Sequence, residues 1–267
     1  PAEPRKYRLT AEAAIAGNGY MILWCDGLGR DIHTNFSLNR KGEKIILSDP
    51  FGAVVDELLY PDQYIDYSFG RKQDGGPLWG YFEKPTPEAA NSGKSYNLVS
   101  GKPDFSLRAG NYPTAQTLVL ESPSPGAVIR YTRDGDEPSQ FSDQYTGPIL
   151  LNFTQTIKAK LFVPGSLPGP TVTNTFIINQ RDFTLPVLSI STSPSNLWDN
   201  NAGIYVEGTN GIPGNCTEAR NWNQEWYRHA VIEYFGTDGF RRYRDDADIR
   251  IGGACSRTLP QKSLAVS

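Results

Sequence analysis

The chain has 267 residues, enough for two or three domains of ordinary size. Hydrophobic residues make up 38% and aromatic residues 12%, which excludes a disordered chain. The 26 glycines and 20 prolines favour many short strands over long helices. A net charge of −3 excludes a strong field for a polyanion. The densest basic cluster, Arg241, Arg242 and Arg244, runs straight into Asp245, Asp246 and Asp248, and reads as a solvated hairpin carrying both signs. No run approaches the roughly 18 apolar residues of a membrane helix, and no signal peptide opens the chain.

In chain order, the first stretch reads as short strands. Residues 19 to 26 (Gly-Tyr-Met-Ile-Leu-Trp-Cys-Asp) are apolar on both faces and predict a strand central to a sandwich, ended by Asp26-Gly27. Residues 43–48 predict another strand. Asp49-Pro50-Phe51-Gly52 has the preferences of a type I turn, and Ala53 to Asp56 resumes the strand. From Tyr67 to Asn91 the Gly- and Pro-rich pattern predicts a loop, wrapped on by Trp79, Tyr81 and Phe82. Residues 92–102 read as a boundary.

The second stretch, about 103–179, predicts strands at Thr117–Glu121, Ala127–Thr132, Pro148–Leu151, Thr156–Phe162 and Val172–Ile178, with a turn at Asp134-Gly135. That spacing argues for an immunoglobulin-like sandwich. The third stretch starts near Phe183. It predicts strands at Pro186–Ser191, Gly203–Val206, Ala230–Phe235 and Ile249–Ile251, one helical turn at Ser195–Trp198, and a turn over 236–239.

Three cysteines are present: Cys25, Cys216 and Cys255. None forms a C-x-x-C pair, and the two histidines, His33 and His229, lie far apart, so no zinc site is expected. Cys25, beside Ile22, Leu23 and Trp24, reads as a buried thiol. In an extracytoplasmic protein Cys216 and Cys255 can pair; the alternative is two free thiols. His33 predicts a structural hydrogen bond at the sandwich surface, and His229 a solvated or interfacial position.

Three resemblances follow in order. Gly19-Tyr20, Trp24 to Gly27, His33 to Leu38, Asp49-Pro50, Ser68 to Arg71, Trp79 and Pro85-Thr86-Pro87 resemble a bacterial lamin-tail domain, an immunoglobulin-like sandwich. The family's first strands, expected before Tyr7, are absent from the match. Gly126 to Thr132, Asp134 to Pro138, Tyr145 to Ile149 and Ile157-Lys158-Ala159 resemble the small sandwich at the C-terminus of chitobiases and hexosaminidases, an accessory module without glycosidase carboxylates. Leu185 to Ile190, Asn196 to Asp199, Gly203 to Val206, Glu233 to Phe235, Ile249 to Arg257 and Pro260 to Leu264 resemble the beginning of the CotH family, spore-coat-type proteins with a kinase-like fold. The last resemblance implies catalytic aspartates and metal ligands downstream of Ser267.

Candidate chemistry is sparse. Arg250, Arg257 and Lys262 around Gly252-Gly253 suit a phosphate-binding corner of a complete ATP-binding domain, or a tight turn with surface cations. Asp134, Asp136 and Glu137 suit either Ca²⁺ or an ordinary turn. Trp222, Trp226 and Tyr227 suit core packing or a sugar platform. No G-x-S-x-G elbow is present.

The expected fold class is mainly β: two immunoglobulin-like β-sandwiches in tandem (1–98, lamin-tail-like and partial; 99–180), followed by a strand-rich partial α+β domain (181–267, CotH-like). The expected function is a non-catalytic structural, adhesive or display segment of a larger secreted or cell-surface bacterial protein, extracytoplasmic and not an enzyme. The rivals are the accessory part of a CotH-like kinase, and a carbohydrate-binding module. No cofactor is expected in this chain; ATP and Mg belong to a complete CotH-like domain. The expected partners are other domains of the same polypeptide and a cell-surface protein or glycan, with no nucleic acid and no membrane span.

Overall fold

The structure is a computed structural model and describes residues 6–10, 13–178, 184–214 and 216–267. It is mainly β, as the composition predicts. The chain forms two compact units, residues 1–99 with 165–167, and residues 100–164 with 168–267. The expected boundary at 180/181 and the start near Phe183 lie outside the described residues.

In the first unit, β1 (Glu43–Ser48) and β2 (Val54–Tyr60) form an antiparallel hairpin. Its turn closes with the Gly52 N–H donated to the Asp49 carbonyl at 3.0 Å, while Asp49 Oδ1 accepts the N–H groups of Phe51 and Ala53. Gly52 has φ +92°, a conformation that favours glycine, so the Asp-Pro-Phe-Gly reading has a direct cause.

Two expectations for this unit fail. The stretch 67–91 is not a loop. It carries β3 (Ser68–Arg71) and β4 (Trp79–Phe82), which continue to β5 (Ser95–Tyr96) in one antiparallel sheet. Gly70 and Gly80 face each other across β3 and β4. A Cβ at Gly70 would collide with the Asn91 side chain, and one at Gly80 would lie 3.0 Å from the Tyr96 carbonyl oxygen. These glycines therefore permit close approach inside strands and mark no turn.

Residues 19–26 are not a central strand either. Trp24 and Asp26 make only isolated bridges, to His33 and Ser37, and Tyr20, Leu23 and Trp24 are exposed. Cys25 is only half-buried. The segment is held by its returning chain: Trp24 donates its N–H to the Ile32 carbonyl, and its ring stacks on His33 with centroids 6.3 Å apart.

In the second unit, β6 (Asp104–Phe105), β7 (Gly110–Tyr112), β8 (Gln116–Leu118), β9 (Leu120–Glu121), β10 (Val128–Thr132), β11 (Asp143–Gln144), β12 (Ile149–Leu151), β13 (Gln155–Phe162) and β14 (Val172–Ile178) build the immunoglobulin-like module. The order β11-β10-β13-β14-β7 makes one sheet; β12-β8 and β6-β9 are two small ones. Alternation along β13 sends Ile157, Ala159 and Leu161 into a core with Leu118, Leu151 and Phe176. The single strand expected at Thr117–Glu121 is split in two. Val119 donates its N–H to the Ser106 hydroxyl and accepts the Ser106 N–H, and there the chain changes sheets.

β15 (Val187–Ser191), α1 (Pro194–Trp198), β16 (Ile212–Gly214), β17 (Thr217–Arg220), β18 (Arg228–Phe235), β19 (Arg241–Ile251) and β20 (Leu264–Val266) follow. The order β15-β18-β19-β20 is an antiparallel sheet. Gly203–Val206 is not a strand. The N–H groups of Ile204 and Tyr205 go to the carbonyls of Asn196 and Leu197, so the segment folds against α1 and buries Ile204.

This sheet buries both faces of β18. Ala230 and Ile232 pack with Ile204, Trp222, Ile249 and Ile251. Phe235 packs with Ala109 and Ile177 of the module. The contact extends to the main chain: Asn111 N–H donates to the Gly239 carbonyl at 2.8 Å.

The expectation that Arg241 is solvated is corrected. Its guanidinium donates to the Thr173 carbonyl (3.0 Å), Asn174 Oδ1 (2.8 Å) and Glu233 Oε1 (2.6 Å). Glu233, fully buried, also accepts the Thr175 N–H and hydroxyl. β7 covers the β14 edge only from Phe176 onward, so Glu233 and Arg241 take the edge groups that precede it.

Candidate functional site

A concave surface of the second unit lies on the immunoglobulin-like module. It is a groove of about 610 Å³ lined by Tyr131, Arg133, Gln144, Thr146, Leu150 and Phe153, among others. Local sequence explains its make-up. β12 puts Ile149 and Leu151 into the core, so Leu150 turns outward. Arg130 ties β10 to the chain before β11 by donating to the Ser142 carbonyl at 3.0 Å. The loop Tyr145–Pro148, which lines the groove with Thr146, Gly147 and Pro148, is anchored by the Tyr145 N–H on the Ile129 carbonyl. Phe153, 55% exposed, offers an aromatic face. Arg133 is the only charged lining residue; one of its N–H groups donates to the Leu150 carbonyl at 2.9 Å, which fixes the guanidinium over the groove. The sequence reading missed this site because its residues are spread over 131–153 with no motif. The one signal was the polar and aromatic run Asn152-Phe153 beside a strand.

Of the predicted phosphate-binding residues, Arg250 and Arg257 come together at Glu225. Its carboxylate pairs with Arg250 Nη1 at 2.8 Å and with Arg257 Nη2 at 3.4 Å. Arg257 also donates to the carbonyls of Gly253, Trp222 and Asn223. Lys262 donates to the Leu259 carbonyl and sits 4.0 Å above the Trp222 ring, where burial pushes its pKa down and Glu207 opposes the shift. The Gly252 N–H is donated to the Ser263 carbonyl. In this arrangement the cations brace the chain's own carbonyls and carboxylate.

Cys216 and Cys255 are joined as a disulfide with Cα atoms 5.1 Å apart, linking the β16–β17 hairpin to the 3-10 turn Cys255–Thr258 that carries Arg257. Trp222 lies buried in the core, Trp226 packs against it, and Tyr227 is exposed under Arg250, so the three rings form no shared platform.

The carboxylates weighed for Ca²⁺ have other partners. Asp134 accepts the Asp136 N–H, Asp136 accepts the Ser193 hydroxyl, and Glu137 holds Lys160 and Thr171. No group of three or more metal-ligating side chains occurs among the described residues. His33 Nδ1 lies 2.5 Å from Asp26 Oδ2, and that bond holds the Asp26 carboxyl below its ordinary range. His229 is exposed, 3.5 Å from Asp246. No described helix is long and apolar enough to cross a membrane.

No curated protein and no solved structure matches the chain. Residues 107–173 match the family model of the Chitobiase/beta-hexosaminidase C-terminal domain, an immunoglobulin-like module, and the groove lies inside that span.

Proposed function

We propose that this chain is a non-catalytic structural and adhesive segment of a larger secreted or cell-surface bacterial protein. The observation that carries the reading is the fusion of the module to the sheet after it, by main-chain bonds at Asn111 and by the buried Glu233–Arg241 pair. Such a joint resists hinging and suits a spacer that holds a neighbour at fixed orientation. The Cys216–Cys255 disulfide supports an oxidising compartment. Pulled from its ends, the full chain should give one opening event for 100–267. Separate events for the module and the four-stranded sheet would count against a rigid spacer. Antibody labelling of intact producing cells and of their medium tests location; protein confined to the cytoplasm, with all three thiols open to alkylation, overturns that part.

A second reading is carbohydrate binding by the module. The groove favours it: an exposed aromatic face beside amide, hydroxyl and guanidinium groups is the usual make-up of a sugar site. Immobilised glycans of varied composition, probed with the full chain, test this.

A further inference from the structure

We infer that the groove on the module selects glycans that carry a carboxylate, such as chains of uronic acid residues. The inference rests on the carbohydrate-binding reading and adds the ligand's charge. It starts from the lining: Arg133 is the only charge, and no carboxylate stands among the groove residues. The lining's one charge is a donor, and its side-chain acceptors, on Gln144, Thr146 and Asn152, are all neutral, so nothing in it repels a carboxylate.

Arg133 is also set for the task. The guanidinium has five N–H donors in a planar fork. One is held by the Leu150 carbonyl at 2.9 Å, which restrains the plane. Among the described residues Arg133 has no carboxylate within 4 Å, so an ion pair takes up none of its remaining N–H groups; Arg30, Arg40, Arg108, Arg130 and Arg228 share that property, but only Arg133 stands in the groove. A free, oriented fork matches a carboxylate in two parallel hydrogen bonds. Phe153 supplies a face for the C–H side of a sugar ring, and Gln144 and Thr146 supply hydroxyl partners at the rim. These ring and hydroxyl partners favour a glycan over an acidic peptide, which shares the carboxylate but has no ring to stack.

The test is titration calorimetry of the full chain with an oligogalacturonate, a neutral galactose oligomer of equal length, and an oligo-glutamate peptide. The uronate oligomer should bind at least about tenfold tighter than the neutral one, a difference of about 1.4 kcal/mol. Arg133→Gln should remove that preference while leaving the near-ultraviolet circular dichroism unchanged. Phe153→Ala should weaken both glycans. Equal or tighter binding of the neutral oligomer overturns the charge inference and leaves the carbohydrate reading standing. No binding of either glycan overturns both. Binding of the peptide alone makes the groove a peptide site and sinks the inference. Retention of the preference in Arg133→Gln also sinks it.

Discussion

Arg241 places a guanidinium nitrogen 2.6 Å from the carboxylate of Glu233, a side chain with no solvent exposure. The pair also satisfies Thr173, Asn174 and Thr175 of β14. Breaking such a pair from one side leaves a buried, uncompensated charge. Arg241→Met should therefore cost about 3–5 kcal/mol in urea unfolding of the full chain. The double change Glu233→Gln with Arg241→Met should recover most of that loss. An Arg241→Met variant as stable as the parent would show that the pair does not hold the joint.

The disulfide closes a separation of 39 residues. Replacing both Cys216 and Cys255 by Ser should lower stability by about 2–4 kcal/mol, chiefly through the unfolded chain. Thermal unfolding with and without a thiol reductant checks it. The parent should lose melting temperature on reduction, and the Ser variant should be insensitive to the reductant.

Alkaline pH offers a test of the first unit. Burial, then the bond to Glu43, pushes the Tyr60 phenol up to about 12; burial, then the charges of Tyr64 and Asp62, does the same to Tyr81. A folded phenol with a raised pKa binds its proton longer than the unfolded one, whose value is 10.0. The stability these groups contribute is thus fully present below pH 10 and lost as pH rises through about 12. Tyr60→Phe with Tyr81→Phe should flatten that alkaline limb. Ultraviolet absorbance of tyrosinate should show two late-titrating groups in the parent that the double variant lacks.

Arg250, Arg257 and Lys262 are committed to Glu225, to main-chain carbonyls and to the Trp222 face. Titration of this chain with ATP and Mg²⁺ should leave its tryptophan emission unchanged, and labelled ATP should transfer no phosphate. Lys262→Ala should instead lower the melting temperature by exposing the Trp222 ring. Transfer of label by this chain alone would make it an enzyme.

Elements made by local chemistry were legible in the sequence. The β1–β2 hairpin is dictated by Asp49, Pro50 and Gly52 within a few residues, and β13 by alternation that sends Ile157, Ala159 and Leu161 into one core. What failed depended on distant partners. The apolar run at 19–26 has the composition of a central strand, yet no strand pairs with it along its length. Gly70 and Gly80 looked like loop residues because the side chain and carbonyl that crowd them lie up to 21 positions away. Arg241 looked solvated because a mixed-charge run says nothing of Glu233 as a buried partner on the neighbouring strand, or of β14 68 positions earlier. The groove was invisible for the same reason: Arg133 and Phe153 line one surface only because Arg133, just after β10, reaches 17 positions ahead to the Leu150 carbonyl of β12.

The finishing of the β14 edge by Glu233 and Arg241 bears on how portable the module is. Cut after Ile178, it would keep its core but lose the side chains that occupy the Thr173 carbonyl and the Thr175 N–H. Those groups, and the side of β7 that bonds to Gly239, would become a bare strand margin open to any extended chain, including another copy. A recombinant piece trimmed to the family-sized span would therefore tend to self-associate. A piece that keeps both side chains on that edge has to extend through β18 to Arg241 at the start of β19.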